Sequence, residues 1–464
     1  MALKTKRKGN TWMILGLSLV AVAVAALTIF FAFRPESEPE PKPTISAPQE
    51  APSVTQPSAA PTVPTVPTQP PITKVGTATI GSTGDILLHD KVIRSGYDPA
   101  TGTYSYDSIF SVFSRFVSQM DYAVANLEVT LCGTDNGYSY AGYPQFNSPD
   151  AIVDALKSAG FDMLLTANNH SYDTGYKGFI RTQQIIADRG LAHIGTRPDA
   201  ADKNYVVQEI NGIKIGMICY TYNTGVDANG NVSLNGHPLN SEASALVNSF
   251  AYLDLPGFYE KLTGELAQMR ADGAEATMLY IHWGDEYNTT PNSVQKKMAQ
   301  ALCDLGIDVI VGNHAHVIQP VELLTNSNDE NKKTLCLYSM GNALSNIRKS
   351  ASRPVHCEDG LLFSVTFAKY SDGTVLVESA EILPTWVNRY TENGVAKYQI
   401  LAMDGDDPAK WQEDMDLTDA LLEKCRESYH RTQEIVAEGL ENANAYFAQH
   451  QAETEELLKV AHKT

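Results

Sequence analysis

The stretch Gly306–Glu322, GIDVIVGNHAHVIQPVE, carries the decision about fold. A helical-period segment, Ser293–Leu305, leads into it, an apolar β-rich run follows at Val309–Gly312, and the run breaks into a polar cluster holding His314 and His316. Helix, buried strand and polar loop in that order form the repeating unit of an α/β sheet, whose loops gather polar groups where strands end.

The same unit recurs outward from this stretch. Thr77–Gly81, Tyr122–Ala125, Met163–Thr166, Ile213–Tyr220, Thr277–Ile281 and Thr334–Tyr338 read as strands, with helices at Pro149–Ala159, Gly178–Arg189 and Pro256–Ala271. Later, Leu361–Phe367 and Val375–Ile382 flank the turn residues Tyr370-Ser371-Asp372-Gly373 and read as a hairpin, so the sheets are expected to be mixed. From about Leu417, the residues Leu422, Cys425, Tyr429, Val436, Leu440, Ala443 and Phe447 recur at helical spacing. They predict an amphipathic helix or helix pair packed on the domain.

The N-terminus differs in kind. Trp12–Phe33 carries no charge and is long enough to cross the roughly 30 Å hydrocarbon core as a helix at about 1.5 Å per residue. Lys4, Lys6, Arg7 and Lys8 precede it, which keeps the N-terminus cytoplasmic and the bulk of the chain extracytoplasmic. No small-residue cleavage site follows, so an uncleaved single-pass anchor in the cell membrane is expected. Pro35–Pro71 holds about half of the 23 prolines and reads as a semi-rigid stalk. The expected organisation is therefore anchor 1–34, stalk 35–73, α/β domain 74–405 and acidic helical segment 406–464.

Composition narrows the partners. With 464 residues, 43% hydrophobic and 19% charged, the chain can build a full core, and its net charge of −19 excludes a nucleic-acid partner held by bulk attraction. Six cysteines in such a length make no disulfide scaffold. Cys219 and Cys336 sit in apolar runs and read as core, whereas Cys132 and Cys357 lie in loop-like sequence where pairing is open. No nucleotide-binding glycine loop and no activated serine or cysteine motif is present.

Chemistry-bearing residues fall just after the strands, in Gly84-Asp85, Asn126-Leu127-Glu128, Asn168-Asn169-His170 with Asp173, His282 to Glu286, Gly312 to His316, and Ser339 to Asn342. Each alone has a plainer role as a turn, cap or strand-end residue. Together, two carboxylates, an amide and three histidines are the mixed O/N ligand set that divalent ions of manganese, iron or zinc accept. On an extended segment, the i, i+2 spacing of His314 and His316 would turn both to one side.

With "GDILL", "ANLEVTL", "GFDMLLTANNHSYDTGYKG", "IHWGDEY", "GIDVIVGNHAHVIQPVE" and "YSMGN" in order from about Ala78 to Thr366, the chain resembles the CapA family of poly-γ-glutamate capsule-synthesis proteins. That family's domain is of the calcineurin-like metallophosphoesterase superfamily. The resemblance implies a layered sandwich of mixed sheets flanked by helices. It implies one or two divalent ions held by Asp85, Glu128, Asn169, His282, His314 and His316. It further implies His170 as general acid, with Asp173 orienting it. Two positions depart from the pattern. Leu87 stands where a histidine ligand is usual, with His89 as a nearby substitute or, more plainly, a surface residue. Asn147, after Phe146, stands where a basic residue is common.

Three functions are consistent with this reading. One is metal-assisted cleavage of an anionic phosphoester. Another is a non-catalytic factor that binds an anionic envelope polymer or the subunits of its synthase complex. A third is metal-dependent hydrolysis of a γ-glutamyl amide.

Overall fold

A computed structural model describes residues 72–460. The expected anchor and most of the stalk lie outside these residues; among the described residues no helix is long and apolar enough to cross a membrane.

Two mixed sheets form the body. The first takes β1 (Lys74–Ile86), β2 (Tyr122–Leu127), β3 (Met163–Leu165) and β4 (Ala192–Ile194) as parallel neighbours in that order. The second is built on β5 (Tyr205–Ile210), β6 (Ile213–Tyr222), β7 (Ala276–His282), β8 (Val309–Asn313), β9 (Val321–Asn326) and β10 (Asp329–Leu337). Its centre, β6-β7-β8-β10, is parallel, and β5 and β9 run antiparallel at its sides. The short β11 (Asn342–Leu344) returns to pair with β1, and β12 (Asp359–Tyr370), β13 (Val375–Glu392) and β14 (Val395–Ala402) extend the first sheet as an antiparallel meander.

Why these segments form strands is visible in their burial. All seven residues of β7, ATMLYIH, are buried, as a central parallel strand covered on both faces requires. Ile80, Val124 and Met163 of the first sheet meet Met217, Met278, Tyr280 and Val311 of the second in one shared core. Ser82 Oγ and Tyr280 OH, 2.9 Å apart, join the sheets through it.

Helices cover the outer faces. α1 (Ala151–Ser158) and α2 (Gly175–Asp188) lie on the first sheet, whereas α3 (Leu255–Ala271) and α4 (Ser293–Asp304) lie on the second. The start of α4 is fixed by a capping box between Asn292 and Gln295. At the C-terminus, α5 (Pro408–Met415) precedes α6 (Asp419–Val460), one continuous helix of 42 residues where the spacing had left a helix pair open. Val436, Ala443 and Phe447 of α6 enter the shared core, and Leu422 and Cys425 join the outer cluster of the first sheet.

Strand register positions the site. Asp85 lies beside Asn126 on one side and Asn342 on the other, and His282 lies beside Asn313. The carboxyl ends of β1, β2, β3, β7 and β8 therefore open into one crevice. The chain entering β11 passes tight against β1: a Cβ on Gly84 would sit 2.0 Å from the Gly341 carbonyl oxygen, and Gly341 itself has φ +70°. Only glycine satisfies both positions.

Candidate metal centre

Six strand-end residues converge, all nearly or wholly buried. Five of them form two overlapping groups, Glu128 with His282 and His314, and Asp85 with Glu128 and His316; within each group the ligand atoms lie within 4.8 Å of one another. Glu128 belongs to both.

The first group is rich in lone pairs and poor in donors. His282 Nε2 lies 2.7 Å from Asn169 Oδ1, 3.2 Å from His314 Nδ1 and 3.4 Å from Glu128 Oε1. Burial, the main cause, holds His282 down to about 3 and His314 well below its ordinary value, so both rings are neutral near pH 7. Neither oxygen of Glu128 finds a hydrogen-bond donor among the described residues. Burial first, and the adjacent Asp85 second, push its carboxyl well above the usual range. A fully buried carboxylate with no donor is costly unless a proton or a cation joins it. An oxygen from Asn169, two neutral imidazoles and this carboxylate are the donor set a divalent ion requires, so these residues fit one.

In the second group, Asp85 and His316 satisfy each other. Asp85 Oδ1 accepts from Asn126 Nδ2 at 2.7 Å, and Oδ2 lies 3.2 Å from His316 Nδ1 and 3.4 Å from the His314 backbone N–H. Burial pushes Asp85 upward, but the hydrogen bond and charge of His316 outweigh it and hold the carboxyl below its ordinary value. His316 responds in the opposite sense: burial pulls it down, and Asp85 more than restores it. Asn342 braces this half, with Oδ1 3.1 Å from His316 Nδ1 and Nδ2 donating to the His316 carbonyl at 3.0 Å.

His314 and His316 do converge, with ring centroids 6.1 Å apart, but not for the reason their spacing offered. Both have left-handed backbone, φ +91° and +55°, in a turn after β8. An extended segment is the wrong picture; the turn itself aims the two rings.

His170 lies beside the cluster. Its Nδ1 is 2.7 Å from Asp173 Oδ2, which also accepts from the Phe146 backbone N–H at 2.7 Å, and its ring meets Phe146 edge-on. Donation from Nδ1 to Asp173 leaves Nε2 as the atom available for proton transfer.

The two departures resolve structurally. Leu87 is 1% exposed and part of the apolar cluster of the first sheet. His89 corrects the expectation of a surface residue: it is half-buried, stacks edge-on against Phe146, and accepts the Asn346 backbone N–H on Nδ1 at 3.4 Å. Burial is the chief cause that lowers it to about 4, and it joins neither ligand group. Asn147 is a loop brace, accepting from the Cys132 N–H and donating to the Gly133 and Ser139 carbonyls. Cys132 and Cys357 are both unpaired.

Several contributors escaped sequence reading. Asn126, Asn168 and Asn342 stood in the strand-end motifs with no role assigned; here they orient carboxylate, loop and imidazole. Tyr222 and Tyr287 flank His314 and His316. Asn235 arrives from a distant hairpin. A cavity of about 830 Å³ lined by Arg270, Asp308 and Lys333 lies toward the start of β8, away from the candidate ligands, and contains none of them.

Residues 79–347 match the family described as bacterial capsule synthesis protein PGA_cap. The chain is 29% identical to the capsule biosynthesis protein CapA of Bacillus anthracis over 57% of this chain and 59% of that one. It is 27% identical to the PGA biosynthesis protein CapA of Bacillus subtilis (strain 168) over 56% and 61%. It thus spans about three fifths of the length of these curated relatives. A Staphylococcus aureus structure described as a 5'-nucleotidase aligns at 14% identity with a TM-score of 0.40, covering 74% of this chain and 58% of that one, a likeness too slight to carry an argument. The chain belongs to the bacterial capsule synthesis protein family.

Proposed function

We propose that this family member is a membrane-anchored, extracytoplasmic component of capsule or envelope-polymer synthesis whose strand-end crevice holds a divalent ion and acts on an anionic ester. The observation that carries the proposal is Glu128, buried, without a donor and shared by both ligand groups. Glu128, Asn169, His282 and His314 would hold the ion, with Asp85 and His316 beside them. A divalent ion there supplies Lewis acidity, acidifying water and neutralising charge that develops on a phosphoryl oxygen.

The chain's own residues do the rest. Asp173 fixes the tautomer and orientation of His170, so that Nε2 faces away from the dyad and can carry a proton to a leaving oxygen. Phe146 packs against that ring and limits its rotation. The anchor over Trp12–Phe33 and the proline-rich stalk would carry the crevice to where an exported polymer emerges.

One observation favours a second reading. Leu87 gives the crevice one ligand fewer than the superfamily pattern, which suits a protein that binds an anionic polymer, or the subunits that make it, without cleaving it. Hydrolysis of bis(p-nitrophenyl) phosphate by the purified full chain separates the two. Cleavage should need added Mn2+ and should fall by about 10²-fold or more in His170→Ala, the usual contribution of a general acid. Polyglutamate co-sedimenting with a metal-loaded chain that cleaves nothing would support the binding role instead.

A further inference from the structure

The hairpin of Val232–Leu234 and His237–Pro238 turns through Asn235 and Gly236, both with left-handed φ, +48° and +74°. Asn-Gly is the preferred pair for a two-residue hairpin turn, so local sequence builds this tip without help from the site. Yet the tip reaches into it. Asn169 Nδ2 donates to Asn235 Oδ1 at 3.0 Å, and Asn235 Nδ2 lies 3.4 Å from His170 Nδ1. A second tie, Gln145 Nε2 to His237 Nε2 at 3.3 Å, joins the hairpin to the loop that carries Phe146.

These contacts have a direction. A side-chain amide presents either its oxygen or its nitrogen, and Asn169 is useful to a cation only through oxygen. Asp173 occupies the His170 Nδ1 proton at 2.7 Å, which leaves the Asn235 oxygen for Asn169. With its Nδ2 engaged there, Asn169 turns Oδ1 toward His282 Nε2. The Asn235 amide nitrogen, donor facing donor, then serves His170 as a steric stop.

We propose that Asn235 is a positioning residue of the metal centre: it fixes the Asn169 amide with oxygen inward and confines the His170 ring. This rests on the reading of the crevice as an ion site. Outer partners of ligands are commonly worth about 10–100-fold in metal affinity.

The test is Mn2+ affinity of the full chain by isothermal titration, alongside thermal unfolding without metal. Asn235→Gly keeps the turn, because glycine accepts left-handed backbone freely, and removes the amide. It should unfold at the wild-type temperature yet bind Mn2+ about tenfold more weakly. Asn235→Asp restores an acceptor for Asn169 and should recover the affinity. Wild-type affinity in Asn235→Gly, or no recovery in Asn235→Asp, overturns this inference while the site stands. A wild-type chain that binds no Mn2+ overturns both.

Discussion

The two halves of the crevice share Glu128 but solve the problem of buried polarity in opposite ways. Around Asp85 and His316, a lowered carboxyl, a raised imidazole and the amides of Asn126 and Asn342 neutralise one another. Around His282 and His314, neutral rings bond to each other and to Asn169, but both oxygens of the Glu128 carboxyl are left without a donor. The first half is complete as protein alone; the second leaves Glu128 in need of a proton or a cation. Leu87, buried in the apolar cluster, fits the same division, since it brings no imidazole to the Asp85 side.

The largest effect should come from Glu128. Glu128→Gln removes the shared carboxylate and should lower Mn2+ affinity beyond the roughly 100-fold that the strongest outer partner costs. Without metal the same variant should be about as stable as the wild type, because a carboxyl pushed well above its usual range already sits in the crevice uncharged. A large stability loss in denaturant unfolding would show that Glu128 is structural.

Asp85→Asn should behave in reverse. It leaves His316 without its anion and should cost about 3 kcal/mol of metal-free stability, the range for breaking a buried pair. Equal losses in Glu128→Gln and Asp85→Asn would erase the contrast between the halves.

A subtler effect follows from pH. Asp85 is held below its ordinary 3.8, so its contribution is present above that value and fades as pH falls through the folded one. His316 is raised above 6.5, so its contribution is present below 6.5 and fades as pH rises through its folded value. The pair therefore stabilises the metal-free chain most strongly between about 3.8 and 6.5. Melting temperature should decline above pH 6.5 in the wild type and less so in Asp85→Asn; parallel profiles would refute the pairing.

The smallest effect expected is from Leu87→His, which should bury an imidazole in the apolar cluster, lower stability by about 2 kcal/mol and add no second ion. Tight binding of an additional ion by that variant would show the Asp85 half to be one ligand short and otherwise ready.

Legibility in sequence followed how local each cause is. The central strands β7 and β8 are continuous apolar runs and declare themselves, as do the motifs at their ends. β4, β5, β9 and β14 were passed over because short or half-exposed strands lack such runs. β13 continues through Pro384 to Glu392, where proline reads as a stop, because pairing on both sides carries it past. At the site, His314 and His316 were recognisable as candidate ligands by type, but their aim depends on left-handed backbone that spacing does not encode. Asn235 lies in none of the strand-end motifs, and its Asn-Gly pair points to a turn and nothing more. Its contact with Asn169, 66 residues away in the chain, is a product of tertiary packing.

The C-terminal helix shows how far the site's support extends beyond the family-matched residues 79–347. Arg431 and Ser428 of α6 hold Asp359, at 2.6–2.8 Å, beside the Gly360–Gly341 bridge that leads to Asn342. Its amphipathic pattern was plain in sequence, but nothing in that pattern points to the crevice.

The most direct test of the account is a count of Mn2+ bound per full chain at equilibrium, resolved by affinity. One tight ion, lost in His282→Ala and retained in His316→Ala with at most a much weaker second ion, is the predicted result. Two ions of equal affinity, or no ion at all, would contradict it.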